Sequence, residues 1–166
     1  VKKALDITQN GKIGIIGTPG TIKSGAYEKF IKEKSPEAKT FSSACPLFVP
    51  LVENGHFETE VAKLVVKEYL EDIKAQGVDT LILGCTHYPL LLDKIRKYCP
   101  PHITLVPQGR YIAESLETYL LRHQDMDNRI TRGGTCRYFT TESADEFRES
   151  ASLFLREQVD AERIVL

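Results

Sequence analysis

Short apolar runs rich in β-branched residues alternate along this chain with longer stretches of helical periodicity, and that alternation restricts the possible folds more than any other feature. Lys12-Ile13-Gly14-Ile15-Ile16-Gly17 reads as a strand ending in the turn Thr18-Pro19-Gly20-Thr21. Ser24 then caps a helix through about Lys34, with Tyr27, Phe30 and Ile31 on one face. A second strand is expected from Ala38 to Ser42. It runs into an apolar loop, 45–55, whose two prolines argue against regular structure. Between about Thr59 and Gln76, the residues Ala62, Val66, Tyr69, Leu70 and Ile73 form a helical stripe that Gly77 closes. A strand over 79–83, a helix from Pro89, a strand at Ile103-Thr104-Leu105-Val106 and a helix marked by Ile112, Leu116, Tyr119 and Leu120 follow. The polar stretch 123–134 is the most linker-like. Beyond it we expect a strand around 137–141 and a helix opened by the capping box Ser143-x-x-Glu146, with Phe147, Ala151, Phe154 and Leu155 on its buried face. Arg163-Ile164-Val165-Leu166 ends the chain as a strand. The alternation predicts an α/β fold, a mostly parallel sheet with helices on both faces.

Composition narrows the functional classes. With 42% hydrophobic and 27% charged residues, 166 residues suffice for a domain with a real core. A formal net charge of −1 supplies no long-range field for nucleic acid or an anionic membrane, so neither is expected as a partner. No apolar stretch approaches the roughly 20 residues that span a bilayer, and the first ten residues lack the apolar core of a signal peptide. Cys45, Cys85, Cys99 and Cys136 lack the paired short spacings of a disulfide framework or zinc site, so no metal is expected and a reducing cytoplasm fits best. The chain begins with Val1 and has its only methionine at Met126, from which we expect a processed or truncated piece of a longer product.

The most informative residues are Gly84-Cys85-Thr86-His87-Tyr88-Pro89, between the expected 79–83 strand and the helix that follows. Ligands of open α/β sheets bind outside the carboxyl ends of the strands, and a helix start there favours thiolates and carboxylates. A free cysteine is often only a small buried hydrophobe, but Cys85 stands in the turn rather than inside the apolar run. An ordinary thiol ionises near pH 8.5, so chemistry at neutral pH calls for a neighbouring acid or base, which His87 can supply. Thr86 offers a hydroxyl and an N–H to a carboxylate. Glu53, at the end of the apolar loop, is either an ordinary exposed acid or, if folded beneath His87, the group that orients its imidazole. The other three cysteines have no acid or histidine in motif spacing. The Thr18-Pro19-Gly20-Thr21 turn lacks the glycine spacing of a phosphate loop, and Lys23-Ser24 imitates its Lys-Ser/Thr pair only superficially.

Three blocks carry a family resemblance. The segments 84–91, 45–55 and 13–27 resemble, in order, blocks of bacterial glutamate racemases, within the aspartate/glutamate racemase family, and the likeness runs in outline from about residue 11 to the end. The resemblance implies a cofactor-independent enzyme that inverts the α-carbon of glutamate between two cysteines, one removing the α-proton and the other protonating the opposite face. It implies a catalytic set of Cys85, His87 and Glu53, with Cys85 as one acid/base thiol, His87 assisting it and Glu53 supporting His87. Thr86, with Cys85 and His87, would contact substrate. It also implies L- and D-glutamate as ligands, a homo-oligomer such as a dimer, and a role in supplying D-glutamate for peptidoglycan in the cytoplasm. Family members carry an Asp-Ser-Gly block and an Asn-Thr block with the first catalytic cysteine upstream of the region where this chain starts. Neither block is present here, so the isolated chain is expected to be inactive. Residues 1–107 would form the second α/β lobe with the Cys85 half-site, and 108–166 a returning segment that completes the first, here incomplete, lobe. Gln108-Gly109 departs from the short polar sequence expected at that point.

Overall fold

A computed structural model describes every residue from Val1 to Leu166 and divides into two compact units, Val1–Glu117 and Thr118–Leu166. The first unit is built on four parallel strands: β1 (Lys12–Gly17), β2 (Lys39–Ala44), β3 (Thr80–Leu83) and β4 (Thr104–Pro107). Their order is β2-β1-β3-β4, so the connections leave β1 in opposite directions and create a switch point between β1 and β3. The register pairs Ile13 with Thr40 and Thr80, and Leu83 with Pro107.

The central strands are apolar on both faces because both faces are covered. On one side Ile13, Ile15, Ile82 and Val106 form a core with Ala4 of α1 (Lys2–Ile7) and Ile31 of α3 (Ala26–Lys34). On the other, Gly14 leaves room for α5 (Glu60–Ala75): a Cβ at Gly14 would stand 2.9 Å from Leu81 Cδ1 and 3.0 Å from Ile73 Cγ2. The parallel sheet with helices on both faces matches the α/β expectation.

Local chemistry explains where the elements depart from the sequence reading. The helix expected from Ser24 to Lys34 stands as α3, but the expected turn at 18–21 opens a further helix before it. Thr18 caps α2 (Pro19–Ser24) by accepting from Thr21 N–H at 3.3 Å, and Gly25, at φ 61°, turns the chain into α3. Ser24 is the last residue of α2, and although Gly25 holds the cap position of α3, Ser24 Oγ accepts from Ala26 N–H at 3.3 Å. The loop expected over 45–55 contains α4 (Phe48–Glu53) and leads to a 3₁₀ turn at His56–Glu58. Pro50 lies in the first turn of α4, where its missing N–H has no helical acceptor to lose. α1 was not foreseen at all. The helix expected from Pro89 begins as a 3₁₀ turn, Tyr88–Leu91, and becomes α6 (Leu92–Tyr98) only afterwards.

Helix α7 (Gln108–Arg122) follows β4 without a loop and runs across the division between the units. In the second unit, α8 (Gln124–Asp127) occupies part of the stretch read as a linker. β5 (Tyr138–Thr140) and β6 (Ala161–Arg163) pair in parallel around α9 (Ala144–Leu155). Ser143 caps α9 by accepting from Glu146 N–H at 3.3 Å. Phe147, Ala151 and Phe154 are partly covered, whereas Leu155 is exposed. The final strand stops at Arg163, and Val165 and Leu166 are solvent-exposed. A lone β-α-β unit of this size cannot bury its own apolar face.

Candidate active site

The carboxyl ends of β1, β2 and β3 bring three loops together. After β3 comes Gly84, whose N–H donates to Ile16 C=O at 2.7 Å. A Cβ there would lie 2.8 Å from that carbonyl oxygen and 3.3 Å from the Tyr27 ring, so close backbone approach requires glycine. The turn that Gly84 opens carries Cys85, Thr86 and His87 out of the sheet. After β2, Cys45 N–H donates to Gly17 C=O at 2.8 Å, and the chain enters α4, which ends at Glu53.

Folding brings Cys85, His87 and Glu53 into one line. His87 Nδ1 lies 3.7 Å from Cys85 Sγ and 3.4 Å from Thr86 Oγ1, while Nε2 lies 3.3 Å from Glu53 Oε1. A carboxylate facing Nε2 places the imidazole proton on that nitrogen and leaves the Nδ1 lone pair for the thiol. The arrangement can therefore move a proton between sulfur and ring. Cys85 and His87 are partly buried, while Thr86 and Glu53 are exposed, so the sulfur has an open approach on this unit. The turn starts in 3₁₀ geometry, and α6 is short, so a helix dipole has less to offer this thiol than the sequence suggests.

The other cysteines stand apart. Cys45 and Cys99 are buried and Cys136 is exposed in the second unit. Burial pushes the Cys45 thiol up to about 12, and it raises that of Cys99 as well. No group of three His, Cys, Asp or Glu side chains is arranged to hold a metal ion.

Two features around the turn escaped the sequence reading. Tyr88, next to His87, is fully buried and donates its hydroxyl to Cys45 C=O at 3.4 Å. Gln108 donates its amide to Leu83 C=O at 3.1 Å and to the Tyr27 hydroxyl, tying the end of β3 to α3. The signal for Tyr88 was its place directly after His87 in an otherwise apolar run. Tyr27 and Gln108 also border a cavity of about 430 Å³, with Ile82, Val106, Tyr111 and Ile112. Neither Cys85 nor His87 lines that cavity, so it is separate from the thiol.

Comparison with known proteins places the chain in a family. The sequence pattern described as Asp/Glu/Hydantoin racemase matches residues 1–112. A glutamate racemase from Persephonella marina is 40% identical over 166 residues, covering 100% of this chain and 61% of that protein. The crystal structure of glutamate racemase isoform RacE1 from Bacillus anthracis superposes with a TM-score of 0.88 at 36% identity, over 99% of this chain and 61% of that one. The Francisella tularensis glutamate racemase, solved in complex with D-glutamate, gives a TM-score of 0.81 at 29% identity, over 94% of this chain and 57% of that one. The chain thus spans about three fifths of the length of the relatives it matches. On the match over 1–112, which takes in the switch point and the Cys85 turn, the chain belongs to the Asp/Glu/Hydantoin racemase family.

Proposed function

We propose that this chain is the Cys85 half of a glutamate racemase, an enzyme that interconverts L- and D-glutamate by proton transfer between two cysteines without a cofactor. The observation that carries this reading is the line Cys85–His87–Glu53, with its 3.7 Å and 3.3 Å contacts, at the end of a strand beside the switch point. The naming of the relatives and the D-glutamate complex of the Francisella protein support glutamate as the substrate.

In the proposed reaction the Cys85 thiolate takes the α-proton from one face, leaving its electron pair on Cα as a carbanion. A thiol on the opposite face gives up its proton to Cα and becomes the new thiolate. His87 holds and returns the proton of Cys85 through Nδ1, Glu53 fixes the imidazole from Nε2, and Thr86 binds the substrate carboxylate. A single thiol can only remove and return a proton on one face. The second thiol would come from the remainder of the complete protein, whose lobe would close over Cys85. The 1–107 segment would be the complete lobe and the segment from 108 the part returning to the other. The enzyme would work in the cytoplasm, as a homo-oligomer, supplying D-glutamate for peptidoglycan.

The test is production of D-glutamate from L-glutamate by the complete protein encoded in the reading frame that contains this chain, with aspartate assayed in parallel. The reading predicts turnover of glutamate by the complete protein and none by residues 1–166 alone. Turnover of aspartate only would make it an aspartate racemase, and turnover of neither would make it a non-catalytic binding module. Activity of the isolated chain would contradict the two-thiol account.

A further inference from the structure

His87 sits in the turn after β3 and Glu53 at the end of α4, and the contact between them is too weak to hold the two segments in register. Their side chains are 28% and 56% exposed, and ion pairs open to water add little to the order of the chain. Tyr88 is a buried residue that links the two segments. Its ring is fully covered and meets Phe48 edge-on, with centroids 5.1 Å apart and planes at 83°. Phe48 in turn packs on Tyr69 of α5 at 5.3 Å. The Tyr88 hydroxyl donates to the carbonyl of Cys45, the residue at the carboxyl end of β2.

These contacts act on both ends of the geometry. Tyr88 follows His87 directly, so fixing its ring fixes where the imidazole starts. Phe48 is the first residue of α4 and Glu53 the last, so a ring seated on Phe48 sets where the carboxylate ends up. A phenylalanine at 88 would fill the same space with no directional bond. The Cys45 carbonyl would keep the Phe48 N–H at 3.3 Å as a donor, so losing the hydroxyl leaves no orphaned acceptor. The hydroxyl adds direction, because a hydrogen bond has a preferred line and an apolar contact does not. Burial keeps the phenol protonated well above its ordinary range, so it stays a donor wherever the protein works.

We propose that Tyr88 is a positioning residue: through the Cys45 carbonyl and the Phe48 ring it sets the Glu53–His87 contact and so aims His87 Nδ1 at Cys85. The functional weight of this claim rests on the reading of Cys85–His87–Glu53 as a proton-transfer line, but its geometry is testable without any activity. The experiment is a double-substitution cycle on the 166-residue chain labelled with ¹⁵N at histidine, read by the ring-nitrogen resonance of His87 at fixed pH. Glu53→Gln shifts that resonance in the parent chain. In a Tyr88→Phe background the same substitution is expected to produce less than half the shift, with the amide spectrum of β1 and β3 unchanged. Phe48→Leu, which keeps the hydroxyl and removes the edge contact, is expected to reduce the shift in the same way and decides the matter if Tyr88→Phe fails to fold. A full Glu53-dependent shift in the altered backgrounds overturns the proposal, and so does the absence of any such shift in the parent. In the complete protein, Tyr88→Phe should lower kcat while leaving KM within twofold, and adding Glu53→Gln should then cost less than it does in the unaltered protein. If the complete protein proves not to be a racemase, the NMR cycle still judges the positioning claim alone.

Discussion

Cys45 and Cys85 stand at the carboxyl ends of the two strands that flank β1, yet their surroundings differ completely. Cys45 is fully buried, and desolvation of its thiolate pushes the thiol up to about 12. Cys85 is partly open to solvent and has an imidazole within 3.7 Å. The consequence is selective labelling. At pH 8 iodoacetamide should modify Cys85 and Cys136 in the native chain and leave Cys45 unmodified, because its sulfur is buried and its thiolate is disfavoured. Peptide mass spectrometry reads this directly, and prompt labelling of Cys45 would contradict its burial. The same shift has a sign for stability. The unfolded thiol ionises near its ordinary value while the folded one does not, so this contribution is intact below about pH 9. It is lost as pH rises toward 12, and Cys45→Ala should flatten that decline.

Among the elements, the loop between α1 and β1 is fastened to the start of β3 by one carboxylate. Asp79 accepts from Thr8 Oγ1 at 2.6 Å, Thr80 Oγ1 at 3.0 Å, and the N–H groups of Gln9 and Asn10 at 2.7 and 2.8 Å. Burial opposes ionisation of Asp79, but the bonds from Thr8, Asn10, Gln9 and Thr80 outweigh it and hold the carboxyl below its ordinary 3.8. Its stabilisation is therefore present above that value and fades as pH falls through the depressed one. Asp79→Asn should cost about 1–2 kcal/mol at neutral pH, less than a fully buried site because the cluster is partly solvated. It should also weaken the acid dependence of stability; urea titrations at pH 7 and pH 3 measure both, and equal losses at the two would contradict the assignment.

The elements also mark the limit of what could be read from residues in order. β1, β3 and α5 were legible because hydrophobic periodicity is enforced by burial on both faces of a parallel sheet. α4 was not, because Pro50 reads as a breaker unless one knows that it falls in a first turn. The cap position of α3 falls on Gly25 rather than Ser24, because Thr18 starts a helix six residues earlier and Gly25, at φ 61°, supplies the break. At the site, Cys85, Thr86 and His87 were visible as neighbours in sequence. Glu53 lies 34 positions from His87, and no local pattern measures the distance between them. Tyr88 was invisible as a tether because its acceptor is a main-chain carbonyl, which leaves no mark in a sequence, and Gln108 because its acceptors, Leu83 C=O and the Tyr27 hydroxyl, lie 25 and 81 positions away.

At the scale of the whole molecule, two groups of exposed apolar side chains stand out, each within its own unit. Ile112 and Leu116 of α7 are more than half exposed in the first, and Leu153, Leu155 and Val165 are open in the second. The relatives are longer by about two fifths of their length, and in the proposed account that remainder covers such surfaces and brings the opposing thiol. The isolated chain should accordingly self-associate as its concentration rises, which analytical ultracentrifugation would detect; a monomer at high concentration would count against it.

The central claim is that Cys85 transfers the α-proton of glutamate. Its most direct test is Cys85→Ser in the complete protein, with kcat measured for L-glutamate to D-glutamate beside the unaltered enzyme. The account predicts a loss of about 10³-fold or more, the upper range for removal of a positioned acid/base group, with folding intact by circular dichroism. A kcat within tenfold of the unaltered enzyme would contradict it.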